Sequence, residues 1–426
     1  MSPVGMALPR SLLSDLYRAA VDAARPRNCL PQFIPEPCAG DTWLLAIGKA
    51  AVPMAAVFAE RYAGSFQGLA ITRYGHGLAT GQSITATEVL ESGHPLPDAA
   101  SCAAADRVSQ WLRGCDSSDR LVVMLSGGGS ALLCAPAEGI DLGAKQAITR
   151  HLMNSGATIS ELNCVRKHLS AVKGGRLAGQ VAAAEIIVLI LSDVPGDDIG
   201  DVASGPFSPD SSTRQDAQVF LEHYDCPYSE AVAQYLQSPA SETPKPGDAL
   251  FAKVRTAVVA CGATALEAAA RHAEQESCEV LNLGAALEGD AGQLAREHAA
   301  ILLERATRPG KFVLLSGGES TVRIANENGC GGRNTEYLLA LALALQGRKG
   351  VYALAADTDG IDGTEDNAGA IITPDTLERA QASGIDGAAL LAQNRSYDFF
   401  SALNDLIVPG PTGTNVNDFR AVLSGF

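Results

Sequence analysis

The chain is 426 residues long, roughly two to three times the size of one domain, so two domains are expected. Lys and Arg total 32 against 48 Asp and Glu, a formal net charge of −16, which excludes a nucleic-acid backbone binder and a basic membrane-surface protein. Hydrophobic residues at 46%, 43 glycines and only 5% aromatics fit a folded α/β chain with many tight strand-to-helix turns better than an all-β or disordered one.

Residues 11–25 read as an amphipathic opening helix, with Leu12, Leu13, Leu16, Ala19 and Ala20 near helical spacing. A Pro-rich stretch, 26–37, follows. Residues 42–50 (TWLLAIGKA) are strand-like and run into a helical segment. GLAITRY and ATEVLESGHPLPD each read as a strand, the second leading into a turn, and 99–113 reads as a helix. Residues 120–133 combine a buried strand, a Gly loop and a helix start, and 185–198 are a buried strand ending in an acidic loop. Short, continuously apolar strands alternating with helices indicate a parallel sheet covered on both faces.

Residues 237–248 (QSPASETPKPGD) hold three prolines and are the best linker candidate. The pattern then restarts with RTAVVACGATALEAA, CEVLNLG, a helix at 289–306, a strand at 311–321, a Leu/Ala-rich helix at 334–346 and a strand at 351–363. The expectation is an α/β protein of two α/β domains. Residues 1–245 form a Rossmann-like domain, with a parallel sheet sandwiched by helices, and 246–426 a second, mixed α/β domain.

The longest apolar runs, 186–191 and 338–345, fall far short of the roughly 20 residues of a membrane span. Arg10, Asp15 and Arg18 interrupt any signal-peptide core, so none is expected. The ten cysteines contain no C-x-x-C pair, and neither they nor the seven histidines show zinc or iron–sulfur spacing. Reduced thiols in a cytoplasmic protein are the simplest reading.

Several segments can carry chemistry. Ser126, Gly127, Gly128, Gly129 and Ser130 follow a strand directly, and glycines there let backbone amides approach an anion while a following helix N-terminus adds donors. A plain tight turn is the competing reading. Leu132 stands where a dinucleotide fingerprint needs Gly or Ala, and no Gly-Lys-Ser/Thr follows, so neither a typical NAD site nor a P-loop is expected. The pattern strand–SGG–x–S recurs at Ser316, Gly317, Gly318 and Glu319, suggesting a second anion loop. Lys49, one of only eight lysines, sits beside Gly48 at a strand end, where open α/β sheets bind ligands. Residues 162–178 gather Arg166, Lys167, His168, Lys173 and Arg176, either an anion cradle or a solvated helix face. Asp193 is the strand-end carboxylate most suited to act as general base or Mg²⁺ ligand, with Asp197 and Asp198 closer to turn chemistry. Arg333 lies in a Gly-rich turn at a helix start, and arginine suits phosphate and transition-state charge. Asp357 and Asp359 could bind Mg²⁺ or a nucleotide hydroxyl, or serve an Asp-Gly turn; the spacing is not that of an EF-hand. An anionic ligand, Gly-rich loops, Lys and Arg, and carboxylates for a metal together favour phosphoryl transfer.

The motifs AIGKA, LSGGGSALL, NCVRKHLSAVKGGRLA, LSDVPGDDIGDVASGP, LLSGGEST, GGRNTEY, AADTDGIDG and GPTGTNVND, in this order, closely resemble the glycerate 2-kinase family with its leucine-rich C-terminal domain. The resemblance covers most of the chain. It implies ATP- and Mg²⁺-dependent phosphorylation of D-glycerate at the 2-hydroxyl, two α/β domains, and an active site in the cleft between them. The family's functional lysine, arginine and strand-end aspartate correspond to Lys49, Arg333 and Asp193. The implied site takes ATP and glycerate through Ser126 to Ser130, Ser316 to Glu319 and Lys173, either loop serving either substrate, and Mg²⁺ through Asp193, Asp357 and Asp359. Small-molecule partners are expected, with no nucleic acid and no membrane, and a homodimer is the assembly considered. Members are often labelled hydroxypyruvate reductases, so an NAD(P)H-dependent reductase is the alternative.

Overall fold

A computed structural model describes residues 3–305, 309–326 and 328–426, with side chains from Leu8. The last residue of the helix expected at 289–306 lies outside the described residues. The chain forms two compact units, Cys29–Val259 and Met1–Asn28 with Ala260–Phe426. The division thus falls after the anticipated boundary at 245/246, and the opening helix Pro3–Ala24 packs with the C-terminal part of the chain rather than with the sequence that follows it.

The Cys29–Val259 unit, hereafter the parallel unit, is built on a six-stranded sheet. Its strands are β1 (Thr42–Ile47), β2 (Phe66–Arg73), β3 (Thr87–Ser92), β4 (Arg120–Leu125), β5 (Glu185–Leu191) and β6 (Val254–Ala260), in the order β3-β2-β1-β4-β5-β6. β1 to β5 are mutually parallel, with Ile47 opposite both Ile71 and Leu125. β1 is buried along its whole length and β4 along all but its first residue, as a sheet covered on both faces requires. The chain starts at β1, winds outward to β3 and returns to β4 on the other side. β1 and β4 therefore flank the point where strand order reverses, and ligands of open α/β sheets bind outside the strand ends there.

The other, mixed unit has β7 (Glu279–Asn282), β8 (Leu287–Asp290), β9 (Phe312–Thr321), β10 (Val351–Asp357), β11 (Gly369–Ile372), β12 (Leu406–Ile407) and β13 (Asp418–Ser424). The order is β12-β11-β10-β13-β9-β7, with β8 also on β9. The final strand β13 inserts between β10 and β9, antiparallel to both, while β7 and β8 run parallel to β9. The expected Leu/Ala-rich helix is Arg333–Leu345, and its Leu338, Leu339 and Leu341 are fully buried.

Two expectations are corrected here. Residues 237–248 are packed rather than a free linker: Ser241 is fully buried, and Arg176 donates to the carbonyls of Ala240, Ser241 and Glu242 at 2.9–3.0 Å. Composition marks such a stretch as a linker, but its polar groups find partners in the fold. Ser316, Gly317, Gly318 and Glu319 form no loop. They continue β9, with Ser316, Gly317 and Gly318 opposite Arg420, Phe419 and Asp418. Ladder pairing on both sides of the strand occupies the backbone that an anion loop would need free, so SGG here serves close strand approach: a Cβ at Gly318 would lie 2.1 Å from the Leu287 carbonyl oxygen.

Candidate active site

In the parallel unit, β1, β3, β4 and β5 bring their C-terminal ends to one place. Beyond β1, Gly48 N donates to Ile71 O and Lys49 N donates to Gly127 O at 2.9 Å. Beyond β4, Ser126 is fully buried and its Oγ accepts from Ala50 N at 3.0 Å, so this hydroxyl ties the first strand-end turn to the second. The three glycines that follow each face a different neighbour. A Cβ at Gly127 would fall 1.6 Å from Asp193 Oδ2. One at Gly128 would meet His94 Cδ2 at 2.9 Å and Lys49 Cγ at 3.3 Å, and its φ of +83° already disfavours a side chain. One at Gly129 would meet Ala203 Cβ at 2.7 Å. The triple glycine thus lets a lysine, a histidine and a carboxylate close around one loop.

The helix after this loop, Gly129–Leu132, is a single turn of four residues. The dipole expected to assist anion binding is correspondingly small. Ser130 Oγ lies 2.7 Å from Ser204 Oγ. Lys173 is buried at 2% exposure and donates to the carbonyls of Ser130 and Leu133 at 2.8 and 2.9 Å. Burial, with Lys145 nearby, pushes its pKa down to about 7. Lys173 therefore braces the loop from behind through backbone carbonyls, in place of the direct ligand contact expected of it. Lys167 lies 3.4 Å from both Asp201 and Asp210, and His168 Nε2 lies 3.4 Å from Glu242 Oε1. Asp198 accepts from Gly200 N at 2.7 Å and Asp197 takes φ +56°, the turn chemistry anticipated for both.

In the mixed unit, Arg333 opens its helix and meets three carboxylates: Asp418 Oδ1 from Nε at 2.7 Å, Glu319 Oε1 from Nη1 at 2.6 Å and Asp357 Oδ2 from Nη2 at 2.8 Å. Burial alone would lower its pKa, but Asp418, Asp357 and Glu319 hold it well above the ordinary value. Asp418 in turn accepts from the fully buried Arg420 at 2.5 Å and from Asn334 Nδ2 at 2.7 Å. Asp362 accepts from the Asn334 and Thr335 amides at 3.0 and 2.9 Å, capping the helix from which Arg333 projects. Asp357 Oδ1 accepts from Asp359 N at 2.9 Å, and Asp359 Oδ1 from Ile361 N at 2.9 Å, so both carboxylates hold the turn that follows β10.

The description "Domain of unknown function (DUF4147)" matches residues 12–237, more than half of the chain, and "MOFRL family" matches 312–418. A Thermotoga maritima protein named D-glycerate 2-kinase is 36% identical over 96% of this chain and 97% of its own length. The crystal structure of glycerate kinase from Thermotoga maritima superposes with a TM-score of 0.85 at 35% identity, covering 98% of this chain and all of that one. The chain belongs to the glycerate 2-kinase family. An Agrobacterium vitis protein named putative hydroxypyruvate reductase is 43% identical over 98% of this chain and 94% of its own, so the family carries both names.

Within this glycerate 2-kinase fold, Lys49, Gly127, Gly128 and Asp193 come together as their strand-end positions suggested. His94 and Asp418 were not singled out. His94 had a signal in the turn SGHPLPD after β3, and Asp418 in GPTGTNVND, but neither stretch reveals which strand lies beside it. Asp362 and Arg420 have no such signal. Among the described residues, no cluster of three or more His, Cys, Asp or Glu is arranged to hold a metal on its own, and no helix is long and apolar enough to cross a membrane.

Proposed function

We propose that the protein transfers the γ-phosphoryl group of ATP to the 2-hydroxyl of D-glycerate, giving 2-phosphoglycerate and ADP. The observation that carries this reading is the convergence of Lys49, the Gly127–Gly128 backbone and Asp193 at the strand-order reversal, in a chain of this family. Asp193 takes the proton of the 2-hydroxyl as that oxygen forms its bond to phosphorus, and the bond from phosphorus to the bridging oxygen of ADP breaks. Lys49 offsets developing charge on the phosphoryl oxygens as a point charge, and Arg333, its guanidinium held by three carboxylates, is the mixed unit's candidate for a phosphate. The carboxylates of Asp193, Asp357 and Asp359 are hard oxygen donors of the kind Mg²⁺ takes, and one or two suffice when nucleotide phosphates supply the rest. Mg²⁺ bound with ATP would offset charge on the phosphate oxygens. The ten cysteines, read as reduced thiols, agree with a cytoplasmic location.

The reductase name is disfavoured on physical grounds. A pyrophosphate-binding dinucleotide turn leads into a full helix with a small residue at the third Gly position, whereas here a four-residue turn with Leu132 follows. Incubation with ATP, Mg²⁺ and D-glycerate followed by phosphorus NMR tests the proposal. A 2-phosphoglycerate signal is expected. A 3-phosphoglycerate signal, or NADH oxidation with hydroxypyruvate faster than phosphoryl transfer, overturns it.

A further inference from the structure

The basic segment 162–178 sorts itself by partner. Lys167 and His168 face carboxylates, Arg176 holds three carbonyls, and Lys173 holds two. Lys145, packed beneath, donates to Leu169 O at 2.9 Å and to Arg166 O at 3.4 Å. Arg166 differs. It is half-buried, and among the described residues its guanidinium makes one hydrogen bond, from Nη1 to Asn163 Oδ1 at 3.4 Å. Burial lowers its pKa to about 10, with no carboxylate among the groups acting on it, and Lys145 and Lys173 add like charge close by. A half-buried guanidinium that no carboxylate meets is costly unless an anion completes it.

The surroundings connect this charge to the triple-glycine loop. Asn163 Oδ1 also accepts from Ser204 Oγ at 3.0 Å, and Ser204 Oγ meets Ser130 Oγ at 2.7 Å. Asn163 and Ser204 are buried at 1% and 0% exposure. Ala203 and Ser204 both take left-handed conformations, φ +54° and +58°, held by Gly174 N donating to Ser204 O at 3.0 Å. Two successive strained non-glycine residues need a compensating reason, and here the strain points Ser204 at Asn163 and Ser130 while Ala203 packs on Gly129.

We propose that Arg166, oriented by Asn163 Oδ1 at the end of the Ser130–Ser204 hydroxyl chain, forms an oxyanion subsite that holds a carboxylate or phosphate of one substrate beside the glycine loop. The proposal rests on the kinase reading for which substrate supplies the anion, but not for the subsite itself. Inorganic phosphate is the first probe. It raises the melting temperature of the wild type, and Arg166→Met loses most of that rise; equal shifts in the two proteins overturn the subsite even if no kinase activity exists. Kinetics then identify the source. A hydrogen bond to a charged group corresponds to roughly ten- to a hundredfold in affinity, so Arg166→Met raises one KM by about that factor. A rise for D-glycerate alone assigns the carboxylate, and a rise for ATP alone assigns a phosphate. Both KM values unchanged, with kcat falling only as the melting temperature falls, make Arg166 a structural residue and overturn the proposal. Should Arg166→Met fail to fold, Arg166→Lys decides: it keeps the charge but loses the fork, and an unchanged pair of KM values in that variant is equally fatal.

Discussion

Asp193 is placed by what it lacks on one side: the neighbouring residue has no side chain, so the carboxylate closes over Gly127. If it accepts the proton of the 2-hydroxyl, Asp193→Asn keeps the shape and loses the base. Steady-state kinetics should show kcat reduced by roughly 10²–10⁴-fold with little change in the KM for ATP. A loss below about tenfold assigns Asp193 to the turn instead. Arg333 poses a different problem, because three carboxylates already fill its fork. Lysine offers charge without the planar set of donors, so Arg333→Lys should lower kcat by about 10³-fold, as loss of a phosphate-directed arginine does. It should also lower the melting temperature, since Asp418, Asp357 and Glu319 are left with one compact cation among them. Near-wild-type kcat in a destabilised Arg333→Lys would reduce the arginine to a purely structural clasp.

The loop Ser126–Ser130 works because three strands and the 202–204 segment converge on it. Gly127→Ala should therefore be at least as damaging as Asp193→Asn, since its Cβ must displace the carboxylate, while circular dichroism stays native. Wild-type kcat in that variant would show that the Asp193 position is dispensable. Lys173, behind the loop, gives a pH signature. Its folded pKa of about 7 lies below the unfolded value of 10.5, so the unfolded chain binds the extra proton between these values. Stability from this group rises as pH climbs through that window and falls as pH drops toward 7. Calorimetry should find the melting temperature of the wild type rising with pH relative to Lys173→Met over that range; parallel curves would show that Lys173 stays charged on its two carbonyls. The same five-residue pattern SGG-x-S makes a turn after β4 and an uninterrupted strand in β9. What differs is the neighbour: β13 and β8 lie along β9 and complete its ladder, whereas β4 stops at Leu125, level with Ile47 of β1 and Ile190 of β5.

In the whole chain, the opening helix completes the mixed unit, although nearly the whole parallel unit separates the two in sequence. Leu13, Leu16, Tyr17 and Val21 are buried at 0–7% exposure, and Tyr17 Oη donates to Asp357 O at 2.8 Å. Burial of four such side chains contributes about 10 kcal/mol before chain entropy is subtracted. A chain lacking residues 1–28 should be insoluble or melt more than about 10 °C lower. A truncated protein that melts within about 2 °C of the full chain would show the helix to be an accessory.

Strand and helix identity along most of the chain and the strand-end positions of Lys49 and Asp193 were legible in the sequence. Periodicity, charge and Gly placement are local properties that the chain carries in any environment. The partner of each charge was not legible. Arg176 and Lys173 read as anion ligands alongside Arg166, and only packing shows that backbone carbonyls occupy the first two. Likewise, the insertion of β13 between β10 and β9 places Asp418 against Arg333 across more than eighty positions of chain. Pairings of that kind arise from contacts between segments distant in sequence, which no local pattern encodes, so tertiary structure alone decided them.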